Sequence, residues 1–367
     1  MNTGTGRRLP SAGRSLLVAV VSAFVWLPDL AISEPAKWGS FPIYEWETAD
    51  FDGPRTESTY TPLDGASESW QICVLIPHLK DAYWLAVNFG LVQEAERLGV
   101  ALSIHSAGGY DRLDRQIAQA EDCLARDPDA LIVSAVEESG LNTVLDNAAR
   151  NDIPIVDLIN GLTFQRISAR SAGDYYDSAY LAARYLVERH AGEDRDILVA
   201  WFPGPKLSAW AQRGNQGFAA GLEGSNVTIV ATEYGDTGRQ VQGDLIERVL
   251  DRYGSVDYIV GTTVSAEVAT GILRRRGLEE ATDIVAYYFG PGVYRGIRRG
   301  TILAAPSDQQ AIQGRIAVDQ AVRLLQGAPL QRFVGPKVRM LDRDSLQDFD
   351  LSSTMAPIGF RPTFDVN

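Results

Sequence analysis

The chain has 367 residues, 45% hydrophobic and 22% charged, with 34 Gly and 17 Pro; it is long enough for two α/β cores and carries no disordered or fibrous bias. A formal net charge of −13 repels phosphate backbones and anionic lipid, which argues against nucleic acid or a membrane surface as partner. Three isolated histidines (His78, His105, His190) and two cysteines make no zinc-type spacing, so no metal site is expected.

Residues 1–33 read as a secretory signal peptide: Arg7, Arg8 and Arg14 precede an apolar run from Leu16 to Leu27, with small residues at Ala31 and Ser33. That run is about 12 residues, where a bilayer span needs about 20, so a cleaved leader and a periplasmic protein are expected rather than an anchor. In an oxidising compartment Cys73 and Cys123 could pair, closing a loop of about 50 residues and stabilising the fold by roughly 4 kcal/mol. The alternative is two small buried hydrophobes, one on a strand and one on a helix.

Residues 34–70 read as an irregular, aromatic N-terminal arm (Trp38, Phe41, Tyr44, Trp46, Phe51, Tyr60) that packs on the body. After it, apolar β-rich runs alternate with amphipathic helical stretches, which predicts parallel strands with crossover helices on both faces. The first series takes strands at Gln71–Pro77, Ala101–Ser106, Ala130–Val136 and Pro154–Ile159, with helices over Asp81–Leu98, Leu113–Ala125 and Leu141–Arg150. A short crossover at Ile167–Asp174 leads into a helix from Tyr175 to His190.

The second series takes strands at Ile197–Phe202, Val227–Glu233, Tyr258–Thr263, Ile284–Tyr288 and Thr301–Ala305, with helices over Ala211–Leu222, Gln240–Tyr253 and Ala266–Arg276. Helix Gln309–Leu325 returns the chain. The expected fold class is α/β, with two similar doubly wound parallel-sheet lobes joined by a hinge. The N-terminal lobe takes residues 71–172 with part of 305–367, and the C-terminal lobe takes 173–304.

In such sheets a ligand sits at the carboxyl ends of the strands, which turns the topology into a residue list. Asp81, Tyr83 and Trp84 follow the first strand, Tyr110 the second, Glu137 and Glu138 the third, and Asn160 the fourth. Across the hinge come Asp174-Tyr175-Tyr176, the segment Trp201 to Trp210, and Tyr287-Tyr288. Asp81 also suits a helix N-cap, and only one of Tyr83 and Trp84 can share the core stripe of its helix, so the other should face cleft or solvent. Ring faces attract a cation or quaternary ammonium by about 0.5–2 kcal/mol each, which points to a methylated amine. Sugar sites also use aromatic walls but need more polar partners for their hydroxyls. No nucleophile elbow, P-loop or HExxH string is present, so neither catalytic residues nor a cofactor is expected.

The alternation, the crossover helix and the return helix with Gln313-Gly314-Arg315 and Leu324-Leu325-Gln326-Gly327 resemble type I periplasmic binding proteins of the sugar-binding and LacI-like superfamily. The strings CVLIPHLKDAYWLAVNFG (73–90), AGGY (107–110), DYIVG (257–261), GVYRG (292–296) and FRPTF (360–364) look like its branch of periplasmic sensors for trimethylamine N-oxide. That resemblance implies a ligand box of Trp84, Tyr110, Tyr175 and Tyr288, with polar contacts from Asp81 and Tyr83, and the periplasmic domain of a membrane sensor histidine kinase as partner. The family pattern has a Trp after the Asp of the crossover helix, where this chain has Tyr175. The alternative is a sugar or other small-solute receptor for an ABC transporter, which shares every fold-level argument.

Overall fold

The computed structural model describes residues 1–6 and 38–367; the expected signal peptide therefore lies, apart from its first six residues, outside the described residues. The chain divides into a unit of residues 1–34 and a unit of 35–367, and the second carries all the regular structure described below.

In chain order the elements are β1 (Phe41–Trp46), β2 (Arg55–Tyr60), β3 (Gln71–Ile76), α1 (Ala82–Leu98), β4 (Ala101–Ser106), α2 (Leu113–Leu124), β5 (Ala130–Val133), α3 (Asn142–Arg150), β6 (Ile155–Leu158) and β7 (Ala169–Ser171). There follow α4 (Tyr175–Arg189), β8 (Ile197–Gly204), α5 (Ala209–Leu222), β9 (Val227–Tyr234), α6 (Arg239–Tyr253), β10 (Tyr258–Gly261), α7 (Thr263–Arg276), β11 (Asp283–Ala286) and α8 (Pro291–Arg299). The chain ends with β12 (Ala305–Ser307), α9 (Gln310–Gln326), β13 (Phe333–Pro336), β14 (Arg339–Leu341) and β15 (Asp365–Val366).

A nine-stranded sheet has the order β15-β4-β3-β5-β6-β7-β13-β1-β2, and a four-stranded sheet the order β11-β10-β8-β9. The strands from β4 to β13 in the first sheet, and all four in the second, pair in parallel. Parallel strands covered by helices on both faces must be apolar throughout, and β3 is: Ile72 to Ile76 are all buried. Helix α1 is fixed at both ends, by the Asp81 carboxylate accepting from the Trp84 amide and by Gly99 in the left-handed region. It lies against α9, while α4 lies against α5. The chain passes between the sheets at 172–174, 308–309 and 337–338, and β12 pairs with β14 beside these crossings.

The arm is the main difference from the sequence expectation. Instead of an irregular stretch, β1 and β2 form an antiparallel hairpin that extends the nine-stranded sheet, and β1 pairs with β13. Ile43 and Tyr60 share the face that packs on α9, at Ile312 and Ile316, and Trp46, three residues from Ile43 and so on the opposite face, packs on Phe51. The pairing partner lies almost at the other end of the chain, so no local signal announces it. Smaller differences follow the same logic: the crossover contains β7, whose pairing with β6 and β13 completes the sheet, and Thr262 ends its strand early because its hydroxyl accepts from the Ser265 amide and caps α7. No helix among the described residues is long and apolar enough to cross a membrane.

A disulfide joins Cys73 on β3 to Cys123 on α2, with 6.1 Å between Cα atoms. His105 completes a group of three ligand-type side chains there, but sulfurs bound to each other are poor metal ligands. Replacing both cysteines by serine removes a closure of 50 residues, and urea denaturation of the variant should show a loss of about 4 kcal/mol with an unchanged far-UV spectrum. A loss below about 1 kcal/mol would mean that the bond adds little to the packing around it.

Candidate ligand cleft

Each lobe contributes the segments that follow its strands. The loop after β3 gives His78, Lys80 and Asp81, and the first turn of α1 gives Tyr83 and Trp84; Tyr110 follows β4 and Asn160 follows β6. From the other side come Tyr175 at the start of α4, Trp210 in the first turn of α5, Asp236 and Thr237 after β9, and Tyr287 and Tyr288 after β11. Asp308 stands at the second crossing.

The rings form a closed circuit. Trp84 meets Tyr83 (5.7 Å between centroids), Tyr83 meets Tyr288 (5.3 Å), Tyr288 meets Trp210 (6.1 Å), Trp210 meets Tyr110 (5.8 Å), Tyr110 meets His78 (5.3 Å) and His78 meets Trp84 (6.2 Å). Tyr175 packs inside this loop against Trp210 (5.4 Å) and Tyr288 (6.1 Å). Most of these contacts are edge-to-face, which sets the positive edge of one ring against the negative face of the next. The structure thus brings Tyr83, Trp84, Tyr110, Tyr175 and Tyr288 together, with Asp81 beside them. Both Tyr83 and Trp84 are buried, and Tyr83 is the one that faces the cleft, where it lines a cavity and meets Tyr288 of the second lobe.

A polar chain runs under the rings. Tyr175 donates to the Tyr83 hydroxyl (2.8 Å), and Tyr83 donates to Asp308 Oδ2 (2.6 Å), which also accepts from Gln313 Nε2 (2.9 Å). Burial raises the Asp308 carboxyl above its ordinary range and raises both tyrosine hydroxyls well above theirs. At the mouth, Lys80 reaches across to Asp236 at 2.8 and 2.6 Å, an ion pair between lobes about one-third exposed on each side. A cavity of about 290 Å³ opens behind it, lined by Asp81, Tyr83, Thr237, Glu267 and Tyr288. A second, of about 190 Å³, lies behind Tyr175 and Trp210 and reaches Asn160.

Glu137 and Glu138 lie outside the ring circuit. The expected ligand box omitted His78, Trp210 and Asp308, although the segment Trp201 to Trp210 stood among the expected cleft positions. His78 and Asp308 look like ordinary loop polars, and nothing local says which residue of Trp201 to Trp210 turns to the cleft. Only the tertiary fold shows that Gly204, with φ of 112°, ends β8 where a Cβ would collide with the Trp210 ring.

Asp81 is 13% exposed, and its burial pushes the carboxyl up to about 6, opposed by the Trp84 amide and the Lys80 charge. The folded protein therefore holds this proton between pH 4 and 6 while the unfolded chain has released it, so stability falls as pH rises through that window. An Asp81→Asn variant keeps an oxygen for the Trp84 amide and has no charge to bury. Urea denaturation should show it more stable than the parent by up to about 3 kcal/mol at pH 7, a gap that closes below pH 4. A gap independent of pH would assign the effect to packing.

Residues 72–329 match the periplasmic binding protein domain family. The periplasmic protein TorT of Escherichia coli K12 is 33% identical over 351 residues, 96% of this chain and 97% of that one. The crystal structure of an ABC transporter solute-binding protein from Bradyrhizobium sp. BTAi1 with bound bis-tris is 41% identical, with a TM-score of 0.80 over 90% of this chain and 99% of that one. TorT in complex with the TorS sensor domain is 33% identical, over 81% of this chain and 100% of that one, with TM-scores of 0.74 without ligand and 0.73 with TMAO (trimethylamine N-oxide). By its sequence, its paired sheets and the cleft between them, the chain belongs to the periplasmic binding protein family, with TorT among its relatives.

Proposed function

We propose that this protein is an exported periplasmic sensor that closes its two lobes on trimethylamine N-oxide and passes the ligand's presence to the periplasmic domain of a membrane sensor histidine kinase. The observation that carries the reading is the closed circuit of rings drawn from both lobes with a buried carboxylate at its edge. The methylated nitrogen of the ligand carries formal positive charge, which ring faces attract, and each ring gains from the exclusion of water. The oxide oxygen accepts hydrogen bonds, which tyrosine hydroxyls supply in their neutral form because burial holds their protons. Asp81, Tyr83, Trp84, Tyr110, Tyr175 and Tyr288 are the proposed contacts.

Binding without chemistry fits the His78–Thr237 pair, which resembles a base and its hydroxyl. His78 Nε2 lies 3.4 Å from the Thr237 hydroxyl, but burial and the Lys80 charge bring the imidazole down to about 3, too weak a base to activate an alcohol near neutral pH. The working step is instead a population shift. Ligand contacts made by both lobes exist only in the closed state, so ligand favours closure by its difference in affinity for the two states. The kinase then meets a different arrangement of the lobes. Removal of residues 1–33 on export belongs to this reading.

A second reading, a receptor feeding an ABC permease, draws on the Bradyrhizobium relative. Calorimetric titration of the mature chain with trimethylamine N-oxide, alone and with the kinase's periplasmic domain, separates the two. Saturable binding is expected, weakened at least tenfold in Trp84→Ala, whose fold is checked by its thermal transition. Absence of heat in both mixtures, beside a clear signal from a sugar, would move the protein to the second reading.

A further inference from the structure

Trp210 occupies a place in the cleft that no other side chain duplicates. Its ring touches those of Tyr110, Tyr175, Tyr287 and Tyr288, and it joins the one aromatic of the β4 loop to the rings of the second lobe. It is 4% exposed, and its indole nitrogen is buried with no partner among the described residues. Buried indole N–H groups normally find an acceptor. Here Trp38 donates to Glu94, Trp46 to the Phe51 carbonyl and Trp201 to Asn215. Trp70, the other unpaired indole, precedes β3 at the opposite end of the sheet from the cleft.

The helix that carries Trp210 is tied down as well. Arg213, one turn further along α5, donates to both oxygens of Asp174 at 3.2 and 2.7 Å, and to Asp52 at 2.6 Å. Asp174 caps α4, where Tyr175 begins, and Asp52 belongs to the β1–β2 loop of the first lobe. Arg55 of that hairpin also pairs with Asp177 on α4, at 2.6 and 3.0 Å. Trp210 and Tyr175 are therefore tied to each other and to the opposite lobe by charges lying away from the rings. Such bracing fixes the helices from which both rings project.

We propose that Trp210 is a ligand-contacting residue: its ring closes the wall over the ligand's methyl groups and its Nε1–H donates to the oxide oxygen. This rests on the reading of the cleft as a trimethylamine N-oxide site. A neutral donor fixed in a dry wall separates an N-oxide from a quaternary ammonium of the same size, because only the oxide offers an acceptor and an unpaired buried donor costs binding. Trp210 thus adds to the selectivity that the tyrosine hydroxyls give, while the ring faces supply attraction common to both ligands.

The test uses the mature protein, trimethylamine N-oxide and tetramethylammonium as ligands, and the variants Trp210→Phe and Trp84→Ala. Trp210→Phe should lose at least fivefold in affinity for the oxide and stay within twofold for tetramethylammonium, with its thermal transition confirming a folded chain. In the parent protein, the indole proton resonance that disappears in Trp210→Phe should move downfield on saturation with the oxide and stay in place with tetramethylammonium. Oxide binding that Trp210→Phe leaves unchanged and Trp84→Ala weakens, with an unmoved indole resonance, would overturn the assignment of Trp210 and keep the site. A parent protein that binds no oxide would overturn both.

Discussion

An aromatic wall assembled from two lobes can exist only if the carboxyl ends of two parallel sheets face each other. Parallel pairing puts every strand's carboxyl end on one side, and right-handed crossovers return the chain to repeat the arrangement. In this protein β3, β4 and β6 present their following residues to those after β8, β9 and β11, so Tyr110 meets Trp210 and Tyr83 meets Tyr288. Everything at the site depends on that apposition. The crossings near residues 172–174, 308–309 and 337–338 are where the angle between the sheets can change.

The electrostatics of the cleft follow from the same desolvation. Two carboxyls, Asp81 and Asp308, are taken into a ring-lined space and rise above their ordinary range, while the imidazole of His78 falls. Burial thus works against the charged form of each of these three groups. The ion pairs of the cleft stand at the rim: Lys80 with Asp236 at the front, and Arg213 with Asp174 and Asp52 at the back. The Lys80–Asp236 pair, about one-third exposed on each side, contributes little to stability but fixes register between the lobes and is weakened by salt, whereas Asp174 is buried and its pair with Arg213 is screened less.

Much of the fold was legible because its rules are local or nearly so. Alternating apolar runs and helical stripes placed β3 to β6 and α1 to α7 within a few residues, and the strand-end rule picked out Asp81, Tyr83, Trp84, Tyr110, Tyr175 and Tyr288 before any coordinates. The hairpin of β1 and β2 was not legible because its stabilising partner, β13, is nearly 300 residues away, and alternation over six residues containing Pro42 reads as loop. The segment Trp201 to Trp210 stood among the cleft positions, but Trp210 was not singled out within it for a related reason: its ring reaches its place only through the close approach permitted by Gly204. The crossing through residues 337–338 was missed as well, since a three-residue strand such as β14 has no periodicity to read.

The central claim is that ligand closes the two lobes by contacts that exist only when they meet. Distance distributions between spin labels on exposed Asp111, beside the Tyr110 loop, and exposed Gln240, on α6, measure it directly. Without ligand the account predicts a broad distribution containing a long component, and with saturating trimethylamine N-oxide a single short distance. An identical distribution with and without saturating ligand would contradict it.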